Sequence, residues 1–396
     1  MCKWKPWHAI TAAVLLAGAA SIQTACGGTA PAVATTAAQE GTVEKGGVDA
    51  TGPYDPVDWP QQIEKGWTWG RTAGIFAESP DKVWIFQSGV FPELHPDDAK
   101  DDSVDSNGRW GHLPKRYRGL LLTGPRRGEE VKPRWEYTLI TVDRNGKLLS
   151  NWPQHDKLFT RPHRVKISPY DPDRHVWIVE DGNHQVFKFT QDGRLVQSWG
   201  EAGVPGNDDS HFNRPTDIAW LPDGTFFVSD GYVNTRVLKF DKDGKLLMTW
   251  GTPGTGPGQF DTPHAIAVGR DRRVYVADRS NHRIQVFDEN GKYVDEWPNI
   301  PLPYSIFMSD DGYLWVADGW MHKIVKFDLT GRRLDVWGTW GNFPGGIWGP
   351  HQLSVDSEGN FYIAQVYNSR PSKYRPKPNA PRERLVGVEI GWGGRN

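Results

Sequence analysis

At 396 residues the chain is long enough for two average domains or one large β architecture. Its 46 basic and 48 acidic side chains leave a formal net charge of −2, which excludes the basic excess of a general nucleic-acid surface. With 44 Gly, 30 Pro and 20 Trp it calls for many turns and many large packing side chains, a composition of all-β repeat proteins rather than helical ones.

In chain order, Lys3 and Lys5 precede an apolar run at 9–20 that is too short for an ordinary membrane span and has the layout of an export signal. A signal peptide is therefore expected over 1–26, with export to a periplasm or to the outside. Cys26 follows small residues in "IQTACGG", as in a bacterial lipoprotein cleavage site, but Gln23 stands where such sites usually have Leu. Two outcomes follow: a lipid anchor at Cys26 as the one membrane attachment, or a soluble exported protein. Cys2 and Cys26 are the two cysteines, so the part beyond the leader carries no disulfide and no thiolate metal site. Residues 27–52, rich in Ala, Thr and Gly, read as a flexible linker.

Residues 53–396 repeat one unit, best seen from Arg214 ("RPTDIAWLPDGTFFVSDGYVNTRVLKFDKDGKLLMTWG") and from Thr262. Further copies start at Arg161, Pro303 and Pro350, with a divergent one near Arg71. Short alternating runs separated by Asp-Gly and Asn-Gly turns predict four antiparallel strands per unit, and units of about 40 to 50 residues have the period of a propeller blade. The expected fold is all-β, a six-bladed β-propeller. Trp152, Trp199, Trp250, Trp297 and Trp337 recur at the end of each fourth strand, where a bulky residue fills the gap between blades. The first unit carries an insertion at about 90–132, read as a solvated loop or lid because its carboxylates are too few and too irregular for a calcium loop. The last unit degrades around Pro371, so its blade is expected to be irregular or to be closed by an N-terminal strand. Glu180, Asp230, Asp278 and Asp318, which close second strands, are expected to serve the hairpins.

Aligned first strands begin "PHRVKI" (His163), "PTDIAW" (Thr216), "PHAIAV" (His264), "PYSIFM" (Tyr304) and "PHQLSV" (His351). Histidine thus falls on alternate blades, and in a six-fold ring such positions line the channel about 120° apart. The pattern predicts a metal site of His163, His264 and His351 with an open position, as in catalytic zinc. One unit also breaks its own spacing: "VSDGYVNTRV" from Val228 takes ten residues where "IVEDGNHQV", "VADRSNHRI" and "VADGWMHKI" take nine. Its loop opens on the histidine side of the ring, so Tyr232 is expected at that mouth.

The "NHRI" phrase is similar to NHL repeats, and the region from about 70 to 365 resembles the lyase domain of peptidylglycine α-amidating enzymes. That resemblance implies a six-bladed propeller that cleaves a peptidyl-α-hydroxyglycine to a peptide amide and glyoxylate. It implies zinc on His163, His264 and His351, Tyr232 as the catalytic tyrosine and Arg279, in "VADR", as a second catalytic residue. Two positions depart from the pattern: Ser88 stands where the family has an essential arginine, and Gln352 where it has an aspartate for a structural calcium. Calcium is therefore the less favoured second cation. The expected chemistry is deprotonation of a metal-bound hydroxyl, with Tyr232 as acid or base, in a monomer acting on a small-molecule or peptide substrate. A lactone or ester hydrolase on the same site is the alternative enzyme, and a non-catalytic propeller that binds protein or glycan at the cell surface is the alternative class. The His184, His282 and His322 positions, at the outer hairpin, are assigned no chemistry.

Overall fold

In the computed structural model, residues 50–60, 63–92 and 134–392 are described. The expected signal peptide at 1–26, the linker up to 49 and the insertion from 93 to 132 lie outside the described residues. Among those described, no helix is long and apolar enough to cross a membrane.

Six four-stranded antiparallel sheets form the blades of the propeller. Blade 1 runs through Thr72–Ser79, Lys82–Gln87, Leu139–Val142 and Leu148–Asn151, and blade 2 starts at Pro162–Ile167. The first strands of blades 3, 4, 5 and 6 are Pro215–Trp220, Pro263–Val268, Pro303–Met308 and Pro350–Val355. First strands are almost wholly buried while fourth strands such as Leu195–Trp199 alternate with solvent, so each sheet runs from the channel outwards.

The turns explain why these short runs pair as they do. Asp143, Asp241, Asp288 and Asp328 each accept, on one carboxylate oxygen, the N–H groups two and four residues on, at 2.8–3.1 Å. A side chain that closes its own turn fixes the hairpin locally. The recurrent tryptophans lie against the next blade: a Cβ at Gly244, Gly291 or Gly331 would collide with the indole of Trp199, Trp250 or Trp297. The same arrangement links Trp337 to Gly52, so the N-terminal segment takes the place of a further hairpin.

Blade 6 is closed from the other end of the chain. Its sheet is Pro350–Val355, Phe361–Gln365, Arg370–Pro376 and, outermost, Tyr54–Val57, with Tyr54 opposite Pro376 and Pro56 opposite Tyr374. Pro371 sits inside the third strand, opposite Ala364. After that strand the chain crosses the end of the ring away from the first-strand starts. Val386 N donates to Tyr54 Oη at 2.7 Å, Ile390 N to the Met308 carbonyl at 2.9 Å, and the Trp392 ring meets Phe76 at 5.3 Å.

Candidate metal centre

Residue by residue, the site follows from where the first strands begin. His163, His264 and His351 each sit second in the first strands of blades 2, 4 and 6, so ring symmetry turns three distant positions into neighbours. Their ring centroids are 4.6, 5.0 and 5.1 Å apart, and one ring nitrogen from each lies within 4.8 Å of the others. All three are buried, and burial together with the neighbouring positive groups holds their pKa values well below the ordinary imidazole value of 6.5. They are therefore neutral, the state in which imidazole binds a metal.

Hydrogen bonds set the ring orientations. His264 Nδ1 donates to the Tyr304 carbonyl at 2.7 Å, and a carbonyl only accepts, so Nε2 carries a lone pair. His351 Nδ1 lies 2.8 Å from the Ala73 carbonyl, and its buried Nε2 has no hydrogen-bond partner among the described residues. An orphaned buried nitrogen is costly unless something fills its place. The remaining space is taken by Tyr232, whose Oη lies 2.9 Å from His264 Nε2 and 3.1 Å from His163 Nε2.

Tyr232 reaches the histidines because of its loop. The second and third strands of blade 3, Phe226–Asp230 and Arg236–Phe240, are joined by residues 231–235, whereas blade 4 joins Val274–Asp278 to Arg283–Phe287 through 279–282. Gly231 lies so close to the Pro263 carbonyl that any Cβ would overlap its oxygen, and this approach sets the tyrosine beside blade 4.

Arginines surround the phenol. The guanidinium carbons of Arg214, Arg161 and Arg279 stand 4.5, 5.3 and 5.3 Å from the Tyr232 ring centre, and Arg279 is also 5.2 Å from that of Tyr304. Arg161 and Arg214 share the buried carboxylate of Asp181 at 3.2 and 3.3 Å. Sequence reasoning reached Arg279 but missed Arg161, Arg214 and Tyr304. The repeated Arg-Pro before the first strands of blades 2 and 3 was the available signal. Ser88 lies in blade 1, its N–H donating to the Arg71 carbonyl at 3.0 Å.

The other repeated polar residues serve the scaffold. Asp230 accepts from Asn213 N and from the Asn234 and Arg236 side chains at 2.6–3.0 Å, and Asp278 has the matching set. His184 and His322 accept N–H groups from Arg214 and Gly349, the segments that lead into the next blades. A second group that could hold a cation, Asp171, Asp173 and His175, closes on itself as a turn, with His175 Nδ1 2.7 Å from Asp171.

Comparisons with known proteins bear on the repeat and the fold. The NHL repeat family matches residues 260–287, within blade 4. A peptidyl-glycine alpha-amidating monooxygenase of Mus musculus is 32% identical over 259 residues, 61% of this chain and 24% of the relative. A peptidyl-alpha-hydroxyglycine alpha-amidating lyase of Drosophila melanogaster is 33% identical over 178 residues, covering 41% and 32%. The chain thus spans about a quarter of the first of these relatives, 24% of its length. Among solved structures, a Bacteroides thetaiotaomicron protein of unknown function shares the fold with a TM-score of 0.50 at 13% identity, over 83% of this chain and 74% of that one. The similarity to amidating lyases is therefore carried by sequence, and the propeller by both sequence and fold.

Proposed function

We propose that the protein is an exported, zinc-dependent lyase of the amidating type, acting on a peptidyl-α-hydroxyglycine. One observation supports the reading: alternate blades bring three neutral imidazoles together around a phenol hydrogen-bonded to two of them, in a chain similar to a relative that bears a lyase name. Export rests on the leader at 1–26.

The donor set fits the metal. Three neutral ring nitrogens, one of them buried without a partner, suit zinc and not calcium, which takes oxygen ligands. His163, His264 and His351 would hold the ion, and when bound it supplies Lewis acidity at a substrate oxygen. The chain's own groups do the rest. Tyr232 would act as a phenolate: its Oη takes the proton of the substrate hydroxyl as that oxygen becomes a carbonyl, and hands the same proton to the amide nitrogen as the C–N bond breaks. Peptide amide and glyoxylate form with no net change in protons. Arg279, with Arg161 and Arg214 beside it, supplies the positive charge that a substrate carboxylate and developing negative charge require.

Metal analysis and glyoxylate release from an α-hydroxyglycine peptide, wild type against His264→Ala, test the reading. Stoichiometric zinc and glyoxylate in the wild type, both lost in the variant, are expected. A wild type without zinc or another transition metal overturns the metal site and leaves a propeller that binds protein or glycan. A metal-loaded protein that releases no glyoxylate yet cleaves a lactone or ester overturns the lyase reading, and Ser88 is the residue that makes this arm worth running.

A further inference from the structure

Directly beneath the histidines lies a charged side chain that the proposed reaction does not use. Arg164 is wholly buried and ranks among the largest fully buried side chains of the molecule. Its Nη1 donates to the His351 carbonyl and lies 2.9 Å from His351 Nδ1, and its Nη2 donates to the Tyr304 carbonyl at 2.7 Å. The Tyr304 carbonyl is also the acceptor that orients His264. One guanidinium therefore holds the main chain of one histidine and the orienting group of another.

The contacts continue around the ring. Arg164 Nε is 3.7 Å from Asp217, which accepts from Ile266 N at 3.2 Å and from Lys166 Nζ at 2.7 Å. Gln352 accepts from Ile75 N and Val165 N at 3.3 Å and donates to the Val165 carbonyl at 2.7 Å. Ile75, Val165, Asp217, Ile266, Tyr304 and His351 lie in the first strands of blades 1 to 6 in turn, so three side chains tie every blade at one height.

We infer that Arg164 is a positioning residue that acts as the internal cation of the ring, holding the Tyr304 and His351 carbonyls and, through the first, the orientation of His264, without a bound calcium. The chemistry of the position argues against calcium itself. Gln352 offers a neutral carboxamide whose oxygen is already shared by two N–H groups, and the carbonyls of Tyr304 and His351 already accept from the guanidinium. A divalent ion placed among them would lie against a fixed positive charge. A planar fork suits two carbonyls from different blades, and a lysine cannot span both in the same way. Unpaired, such a charge would be too costly to bury. Asp217 neutralises it and is itself shared with Lys166.

The test uses the full chain as wild type, Arg164→Met and Arg164→Lys, with thermal unfolding followed in EGTA, in calcium chloride and in low-millimolar guanidinium against matched sodium chloride. The wild-type Tm is expected to ignore both EGTA and calcium. Arg164→Met should unfold about 10 °C lower, the size expected for breaking a buried charge pair in a domain this large, and should recover in part with guanidinium. Binding of cobalt(II) as probe, read by its d–d spectrum and by chelator competition, should weaken about 10-fold in Arg164→Met and less in Arg164→Lys, because outer partners of ligating histidines tune affinity on that scale. If Arg164→Met does not fold, the comparison passes to Arg164→Lys. A folded Arg164→Met with wild-type Tm and cobalt affinity overturns the inference, as does a wild type destabilised by EGTA. Although the link to metal affinity rests on the proposed function, the two fail separately. A wild type that binds no cobalt sinks the metal reading, and the Tm and guanidinium arms still decide the role of Arg164.

Discussion

Tyr232 differs from its neighbours in having an oxygen that no scaffold role requires. Its ring meets His163 and His264 edge-on, each at 5.2 Å between centroids, and these contacts would survive loss of the hydroxyl. In Tyr232→Phe the phenolic proton carrier is gone while the ring, the loop and the three imidazoles stay. The expected outcome is unchanged metal content, with kcat for glyoxylate release lower by about 10²–10⁴-fold and KM little altered, the usual size of a lost general acid–base group. A variant that keeps wild-type kcat would remove Tyr232 from the chemistry. The histidines were legible in the sequence because the repeat fixes register, and register fixes which side chains line the channel. Arg164 was not, since it follows His163 in an ordinary strand phrase, "PHRVKI", and has no counterpart in the other blades whose pattern could expose it. Its partners are main-chain carbonyls contributed by blades 5 and 6, which no one-dimensional pattern reports.

For the hairpin that carries the tyrosine, the spacing anomaly in "VSDGYVNTRV" becomes a loop of five residues, 231–235, where blades 2, 4, 5 and 6 manage with four, at 181–184, 279–282, 319–322 and 366–369. The strands on either side pair in ordinary register, with Asp230 opposite Arg236, just as Asp278 lies opposite Arg283. The extra residue thus costs the sheet nothing and acts only on the loop. Val233 is the exposed member, at 55%, and its removal restores the spacing of the other blades. Deletion of Val233 is expected to leave Tm within a few degrees of wild type and to lower kcat by about 100-fold, since a displacement of the order of 1 Å suffices for such a loss. Full activity in the deletion would mean that the loop length does not place Tyr232. A closing N-terminal strand was expected from the degraded last unit, but its position was not legible: "YDPV" at 54–57 is four residues long, contains Pro56 and stands outside the repeat, so only the sheet it joins makes it a strand.

For the ring as a whole, closure is non-covalent and rests on Tyr54. Its side chain is fully buried, with its ring 5.4 Å from Trp337 and 5.6 Å from Phe361, and its hydroxyl accepts from Val386 N. Three parts of the chain meet there: the outermost strand of blade 6, the last tryptophan of blade 5 and the C-terminal segment that crosses the end of the ring. Tyr54→Ala removes all three contacts and should cost about 3–5 kcal/mol, the range for a large buried aromatic, which is a large share of the 5–15 kcal/mol typical of a folded domain. Tyr54→Phe keeps the ring and strands one buried N–H, for about 1–3 kcal/mol. The two can be ranked by urea midpoints, and a Tyr54→Ala midpoint equal to wild type would show that blade 6 holds without its N-terminal strand. The innermost strand of that same blade carries His351 and Gln352, so looseness at the outer edge is transmitted to the channel through one sheet. Metal affinity should therefore fall in Tyr54→Ala even though Tyr54 touches neither the histidines nor Tyr232, and it should fall less in Tyr54→Phe, in the order of the midpoints. If affinity were indifferent to that order, the three histidines would be held by their local hydrogen bonds alone and not by closure of the ring.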